Sequence, residues 1–339
     1  MKAQDCPFVS IVMPVRNEGP YIQRSLGAVL DQDYPQECVE ILVVDGMSED
    51  GTREFILEQQ KIHPHVRLLE NPGKIVPKGL NIAIANAKGE IFIRVDGHCV
   101  IAKDYVRRCV EALQHERVAG VGGPMETIGE TPVAQSIALA MSSPFGVGNS
   151  AFRIRVNKRR YVDTVPFPAY RMSTLQEAGP FDETLVRNQD DEYNYRLRAM
   201  GGKLLLSPDI RSKYYSRSSL GSLWRQYFQY GFYKVRVLYK HPTQISLRQL
   251  VPPAFVGGLL GLLVLSMFGE IFRYGLLGFL VLYGLLNLST SLVLSARHGW
   301  EHMLRLPLAF AILHVAYGLG FWAGLYDLVR HLLRKKTSH

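Results

Sequence analysis

The chain has 339 residues, of which 47% are hydrophobic and 20% charged, with a formal net charge of +9. That suffices for one large domain plus an appendage and, with no internal repeat or low-complexity tract, excludes a repeat array. The basic balance leaves nucleic acid, anionic lipid and a phosphorylated substrate open as partner classes. Before the first predicted element, the segment MKAQDCPFVS carries no apolar core of the kind a secretory signal needs, so residues 1 to about 240 are expected in the cytoplasm. Phe8–Pro14 is a short apolar run ended by proline, read as the first strand, with Arg16-Asn17-Glu18 as its exit loop. Helical spacing over Tyr21–Asp31 is followed by a second strand, Val39–Val44, that ends at Asp45. A polar loop, Gly46–Gly51, precedes a helix over Thr52–Lys61. A strand over Val66–Glu70, a helix over Lys78–Asn86 closed by Lys88-Gly89, and a strand over Ile91–Val95 complete the first part. This strand–helix alternation with short connections predicts an α/β domain with a mostly parallel sheet.

Such sheets place their chemistry at the carboxyl ends of the strands. The run Ile91–Val100, IFIRVDGHCV, delivers Asp96 and His98 there, two metal-ligand types separated by a glycine. Alone, that spacing also fits a plain strand-to-turn exit. No G-x-G-x-x-G follows the first strand and no G-x-x-x-x-G-K-[ST] exists, which argues against a dinucleotide fold or a P-loop. Cys6, Cys38, Cys99 and Cys109 show no C-x-x-C spacing and are read as reduced thiols, neither a disulfide frame nor a zinc site.

Beyond Val121 the chain is less regular. A basic run, Arg153-Ile154-Arg155 with Lys158-Arg159-Arg160, is either solvated surface or a contact to a phosphorylated or lipid-surface acceptor. A turn at Gly179–Glu183 leads to Asn188-Gln189-Asp190-Asp191-Glu192 and a helix over Tyr193–Met200, with the acidic residues at or near its start, where negative charge is favourable. Near the end, Leu250–Phe268 and Tyr274–Ala296 carry no charge, and Leu306–Tyr326 has only His314 as an ionisable group. Each is long enough to cross a hydrocarbon core of ~30 Å, which takes roughly 20 residues. Arg211, Lys213, Arg217, Arg225, Lys234, Arg236, Lys240 and Arg248 favour a cytoplasmic start to the first span. The tail Arg330, Arg334, Lys335 and Lys336 also favours the cytoplasm, whereas three full spans place it outside. Either one segment is re-entrant or interfacial, or the positive-inside bias loses here. Arg297–Arg305, with Trp300, suits a helix at the headgroup layer.

Taken as an ordered series, SIVMPVRNE, VVDGMSEDGT, Lys78-Gly79-Leu80-Asn81, VDGH, GPFDE and QDDEYNYRLRAMGG resemble the family 2 glycosyltransferases of GT-A fold over almost all of residues 8–235. Val162–Val165 with RNQDDEYNYR looks like the succinoglycan glucosyltransferase subgroup, whose members extend polyprenyl-diphosphate-linked sugars at the cytoplasmic face. The resemblance implies a GT-A domain over residues 1–240 and a membrane domain over 241–339 with about three helices (250–268, 274–296 and 306–329). It implies a multi-pass protein of the bacterial inner membrane with a cytoplasmic catalytic domain. It places Pro14, Asn17 and Glu18 beside the nucleotide, Asp45 on the base, and Asp50 in the same loop. It brings Lys78 and Asn81 to the ribose or phosphates, though a solvated helix face accounts for them equally.

Asp96 and His98 occupy the two ends of the family's D-x-D, with His in place of the second Asp. They imply Mn²⁺ or Mg²⁺ on the diphosphate of a UDP-sugar, imidazole being the poorer ligand for Mg²⁺. His98 contacting the donor instead is the other reading. Asp190 aligns with the general base of an inverting transfer, Gln189 replaces the usual Glu before it, Asp191 is the base if the register slips, and Glu192 is structural. Trp224-Arg225-Gln226-Tyr227 falls where processive synthases carry Q-x-x-R-W, so a single addition is expected; Arg225 helps neutralise the diphosphate and Trp224 anchors an interfacial helix.

The implied function is an inverting, metal-dependent transfer of a hexose, with glucose the subgroup's suggestion, from a UDP-sugar to a lipid-linked saccharide in exopolysaccharide or cell-surface glycan assembly. Other exopolysaccharide assembly proteins are its further partners. The alternatives are a processive polysaccharide synthase and a non-catalytic membrane component that binds nucleotide-sugar. Nucleic acid is not expected, because the basic residues lack interleaved aromatic stacking positions.

Overall fold

The computed structural model describes residues 6–148, 150–153 and 157–337. Met1–Asp5 of the N-terminal segment and Ile154 and Arg155 of the basic run lie outside the described residues. In chain order the first elements are β1 (Val9–Val15), α1 (Ile22–Leu30), β2 (Val39–Asp45), α2 (Thr52–Ile62), β3 (Val66–Glu70), α3 (Val76–Asn86), β4 (Ile91–Arg94), β5 (Cys99–Ile101) and α4 (Tyr105–His115). They are followed by β6 (Gly120–Gly122), β7 (Met125–Ile128), α5 (Pro132–Met141), α6 (Pro144–Val147), β8 (Arg160–Val162), β9 (Ala169–Arg171), α7 (Met172–Ala178), α8 (Gln189–Ala199), β10 (Leu204–Leu206) and β11 (Ser212–Tyr215). The last are α9 (Leu220–Lys240), α10 (Leu247–Leu265), α11 (Glu270–His298) and α12 (Leu306–Thr337). The chain forms two compact units: residues 1–126 with 155–214, and 127–154 with 215–339.

The first unit is built on an eight-stranded sheet of order β3-β2-β1-β4-β9-β6-β10-β8. Its β3–β2–β1–β4 half is parallel, as the strand–helix alternation predicts. Beyond β4 the sheet is mixed, because β9 runs antiparallel to both β4 and β6. The β-branched runs of β1 and β2 are buried along their whole length, which suits strands covered by helices on both faces. Two polar side chains enter this core as a pair. Ser10 Oγ donates to Glu40 Oε1 at 2.7 Å, Lys88 N–H to the same oxygen at 2.6 Å, and Arg67 Nη1 to Glu40 Oε2 at 3.2 Å. Gly89 N–H donates back to Ser10 Oγ at 2.8 Å, and a Cβ at Gly89 would meet Ser10 N at 2.4 Å. The β1–α3–β4 corner therefore closes only around glycine.

The cysteine reading is corrected. Cys6 and Cys38 are joined by a disulfide, while Cys99 and Cys109 are free and buried. The pair is invisible as spacing. Cys6 and Cys38 precede neighbouring strands whose register sets Val9 opposite Val39, and that pairing brings the two sulfurs together.

In the second unit α9 lies alongside α12, with backbones close enough that a Cβ at Gly320 would stand 2.0 Å from Phe228 O and one at Gly324 2.4 Å from Phe232 O. Three of its helices, Leu247–Leu265, Glu270–His298 and Leu306–Arg334, are long and apolar enough to cross a membrane. Apolar α5 and α6 belong to the same unit: His314 Nε2 is 2.8 Å from Phe145 O, and His302 Nδ1 is 2.9 Å from Ser136 Oγ.

Glu40→Ala removes the acceptor of three donors, leaving Ser10 Oγ and Lys88 N–H buried without it. At roughly 1–3 kcal/mol per unmet group, the detergent-solubilised variant should unfold at a clearly lower temperature in a thermal-melt assay.

Candidate active site

The carboxyl ends of β1, β2 and β4 open on one side of the parallel half-sheet, and three loops meet there. The first loop is tied to the second by hydrogen bonds donated from both loops. Asn17 adopts φ 53° and is clamped through its N–H to Ser48 Oγ (2.9 Å) and its Oδ1 to Glu49 N–H (3.0 Å). Asp50 accepts from Gly19 N–H at 2.9 Å and from Thr52 N–H and Oγ1 at 3.2 and 2.5 Å. Burial pushes the Asp50 carboxyl up, but its bonds to Thr52 and the Gly19 amide hold it below the ordinary value. Asp45, at the end of β2, is wholly buried. Its carboxylate accepts from Ser48 N–H and Oγ, the latter at 2.6 Å, and stands 3.5 Å from Arg53 Nη1. Asp45 and Asp50 thus hold the loop in shape. Pro14 is a buried residue inside β1 and not part of the exit loop.

The loop after β4 carries the most distinctive contacts. Arg94, the last residue of β4, is 8% exposed, and its guanidinium grips Asp96 through Nε to Oδ1 at 2.7 Å and Nη2 to Oδ2 at 3.2 Å. Burial opposes charge on Arg94, but Asp96 and then Asp190 hold the guanidinium charged and push its pKa up. Burial pushes the Asp96 carboxyl up as well. Arg94 outweighs it, with His98 adding to the effect when protonated, and the net direction is down. His98 Nδ1 lies 2.8 Å from Glu18 Oε1, and its ring meets Tyr214 edge-on at 5.0 Å. An ionised carboxylate only accepts, so Nδ1 is the donor, and in the neutral ring Nε2 then keeps its lone pair. Gly97 makes this approach possible: a Cβ there would stand 2.7 Å from Glu18 Cγ and 3.0 Å from a Val15 methyl.

Asp190 lies in the first turn of α8, which begins at Gln189, earlier than the Tyr193 expected from periodicity. Asn194 fixes that helix by donating to Thr164 Oγ1 at 2.7 Å and accepting from Tyr170 OH at 3.0 Å. Glu192 is buried on the same helix. It pairs with Arg196 at 2.6 Å, and Arg196 donates to the carbonyls of Ala178 and Pro180. Asn81 is spent on the same neighbourhood. Its amide donates to Phe181 O and Glu183 Oε1 and accepts from Phe181 N–H at 2.8 Å. It fastens the turn before α8.

Lys78 is half-buried on α3, its stem lying over Gly73. Arg225 is an exposed residue of α9, in the second unit. The structure thus sets Asp96 against Arg94 and His98 against Glu18, with the charge of Asp190 acting on Arg94. Arg94 was missed as a site residue altogether, and the contact between Glu18 and His98 was not foreseen; an arginine inside an apolar strand was the available signal for the first.

Residues 10–176 match the family model described as Glycosyl transferase family 2. A dolichyl N-acetyl-alpha-D-glucosaminyl phosphate 3-beta-D-2,3-diacetamido-2,3-dideoxy-beta-D-glucuronosyltransferase of Methanococcus voltae is 30% identical over 94% of this chain and 97% of its own length. The succinoglycan biosynthesis protein ExoA of Rhizobium meliloti is 28% identical over 95% of this chain and 96% of its own. Among solved structures, mannosyltransferase PcManGT of Pyrobaculum calidifontis, in complex with GDP-Man and Mn²⁺, superposes with a TM-score of 0.61 at 20% identity, covering 92% of this chain and 87% of that one.

Replacing Arg94 by Met should leave Asp96 without its counter-charge and cost about 3 kcal/mol, the scale for breaking a buried pair. Because the folded Asp96 pKa is lowered, its stabilising contribution is complete above the ordinary carboxylate range and is lost as pH falls through the folded value. Thermal melts of the parent should therefore weaken on acidification, while Arg94→Met should melt lower at neutral pH and lose less on going to acid.

Proposed function

This chain belongs to glycosyl transferase family 2, and we propose that it performs an inverting transfer of a hexose from a UDP-sugar to a lipid-linked saccharide. The enzyme class and the GT-A-type α/β fold follow from the family and from the likeness to PcManGT. The finer reading is supported by one arrangement: the buried Arg94 guanidinium is bonded to Asp96, the donor-side carboxylate, and lies within reach of the charge of Asp190, the candidate base. The acceptor class is supported by the two long relatives, one named for a dolichyl phosphate sugar and one for succinoglycan biosynthesis. UDP-glucose is the donor to test first.

The chemistry asked of the chain is modest. An inverting transfer needs one carboxylate to take the proton of the acceptor hydroxyl as its oxygen attacks the anomeric carbon, while the nucleoside diphosphate leaves from the opposite face. Asp190 has that role, at a helix start that favours its negative charge. A β-linkage results from an α-linked donor. Asp96 and His98 suit a divalent cation, with a carboxylate oxygen and the free Nε2 as its two protein donors. Each Asp96 oxygen keeps a lone pair besides the one facing Arg94. Among the described residues no cluster of three or more such ligands exists, so these two side chains would hold the cation only together with substrate and water. When bound, the cation, Mn²⁺ or Mg²⁺, supplies Lewis-acid stabilisation of the departing diphosphate. Glu18 fixes the His98 tautomer and ring orientation for that contact. The hydrophobic helices keep the enzyme in the cell membrane, where lipid-linked acceptors reside.

The direct test is transfer of radiolabel from a panel of UDP-sugars into extractable lipid by the purified protein with Mn²⁺ or Mg²⁺. Label from one donor in one lipid is expected; no label from any UDP-sugar, with folding and acceptor supply confirmed, overturns the donor assignment. Asp190→Asn should lower the transfer rate by about 10²–10⁴-fold, the usual contribution of a positioned base, with UDP binding unchanged in equilibrium titration. Near-parental transfer by that variant would remove Asp190 from the mechanism.

A further inference from the structure

Hydropathy alone presents α10, α11 and α12 as equivalent spans, but their surroundings within the second unit differ. In their most apolar stretches α10 and α11 are 17% and 11% buried, against 39% for α12. The hairpin formed by α10 and α11 is joined by a short turn and held by Phe255, stacked on Phe279 at 5.5 Å and tilted against Tyr283 at 4.5 Å. The first half of α10 also packs on α12, through Pro252 and Val256 at Gly318 and through Pro253, whose carbonyl accepts from Trp322 Nε1 at 2.9 Å, but toward the turn and along α11 the apolar side chains face away from protein: Leu263, Met267, Phe268, Ile271, Leu277 and Leu282 are all more than half exposed. The hairpin offers lipid what a pair of crossing helices needs, since helical backbones satisfy themselves.

The third helix is embedded differently. One stripe of α12 (Leu306, Ala309, Phe310, Leu313, Ala316, Gly320 and Gly324) is buried along successive turns. Over the second half of that stripe the covering element is α9, running parallel to it. A Cβ at Gly231 would meet Tyr317 O, those at Gly320 and Gly324 would meet Phe228 and Phe232 carbonyls, and Arg236 pairs with Asp327 at 2.9 Å. Yet α9 carries Arg225, Lys234, Arg236 and Lys240, and α12 itself continues through Asp327, Arg330 and Arg334. Charges of this density are expensive at the bilayer centre. A helix packed parallel to α9 over this length therefore shares its polar level and leaves the hydrocarbon core to the hairpin. The opposite face of α12 is suited to the boundary between headgroups and acyl chains: Trp322, Tyr326, Val329 and Leu333 repeat at helical spacing and are each at least 43% exposed, with Arg330 and Arg334 between and beyond them.

We propose that only α10 and α11 cross the bilayer, and that α12 lies along the membrane surface beneath α9, with its exposed aromatic stripe in the lipid interface. The chain then enters and leaves the membrane on one face. The basic end of α12 remains on the side from which α9 arrives, which satisfies the positive-inside bias that three spans violate. This proposal is independent of the donor and base assignments.

Single cysteines placed at three positions decide it. Met267→Cys reports the turn of the hairpin, Trp300→Cys the connection between α11 and α12, and Leu333→Cys the far end of α12. Each full-length variant is probed with a membrane-impermeant maleimide in right-side-out and in inside-out vesicles. The parent chain, whose cysteines are buried or bonded to one another, supplies the background. Trp300→Cys and Leu333→Cys should label from one face only, the face at which the soluble unit is protease-accessible, and Met267→Cys from the other. Labelling of Leu333→Cys from the same face as Met267→Cys would show that α12 crosses and would overturn the proposal. Labelling of all three from one face would overturn it equally, because the hairpin would then not cross. Ser266→Cys and Arg334→Cys report the same two ends if either first choice fails to accumulate.

Discussion

A guanidinium buried at the end of a central strand is the constraint on which the candidate site depends. Arg94 cannot sit at 8% exposure without charges to meet it, because an unpaired ion in the interior costs far more than folding leaves to spare. Asp96 meets it through two hydrogen bonds, and the field of Asp190 reaches it from the start of α8. The arrangement therefore does two things together. It sets the Asp96 carboxylate against the guanidinium within reach of the charge of Asp190, and it holds the Asp96 carboxyl below its ordinary value where desolvation alone would raise it. A donor-side ligand needs that ionised state, so one structural ion pair prepares the donor half of the proposed chemistry.

Around this pair, several residues that a motif reading assigns to ligand are engaged in holding loops. Asn17, Asp45 and Asp50 bind the first and second loops into one body, and Asn81 fastens the turn before α8. These contacts do not compete with a role in the site. A transfer reaction needs the donor diphosphate and the acceptor hydroxyl held to within a fraction of an ångström, and rigid loops at strand ends supply that precision at no cost when substrate arrives. The fixed His98 tautomer belongs to the same design: Glu18 decides which ring nitrogen is free before any ligand is present.

How much of this could be read in advance follows a physical division. The strand–helix alternation, the buried character of β1 and β2, and the arrival of Asp96 and His98 at a strand end are local, because burial pattern and turn chemistry act over a few residues. The start of α8 was placed late because its first turn, Gln189–Glu192, is polar and carries no apolar period, although its acidic residues suit a helix start. Contacts between distant residues were not legible. Glu18 and His98 are 80 residues apart, Asn81 and Phe181 100, and Cys6 and Cys38 32. The disulfide follows from strand register and the other two pairs from the packing of loops and a helix around the sheet, neither of which a spacing rule encodes. Arg94 is the intermediate case, since a charged residue in an apolar strand signals an internal partner without naming it.

The membrane half carries the same lesson in another form. A hydropathy window scores a helix as though lipid were its only neighbour, so α12 ranks with α10 and α11. What a helix does in a bilayer depends on what covers it. A stripe that is buried against protein contributes nothing to partitioning, and only the remaining face meets lipid. For α12 the covered face lies against a helix with four cations, and the remaining face is aromatic and basic. For the hairpin nearly every apolar group remains to be buried. The difference between the two cases is the difference between lying on a membrane and crossing it, and it follows from packing between elements whose sequences are 90 residues apart in places such as the Arg236–Asp327 pair, itself separated by 91. The conflict in the tail charges was thus a sign that one apolar stretch had a polar neighbour elsewhere in the chain.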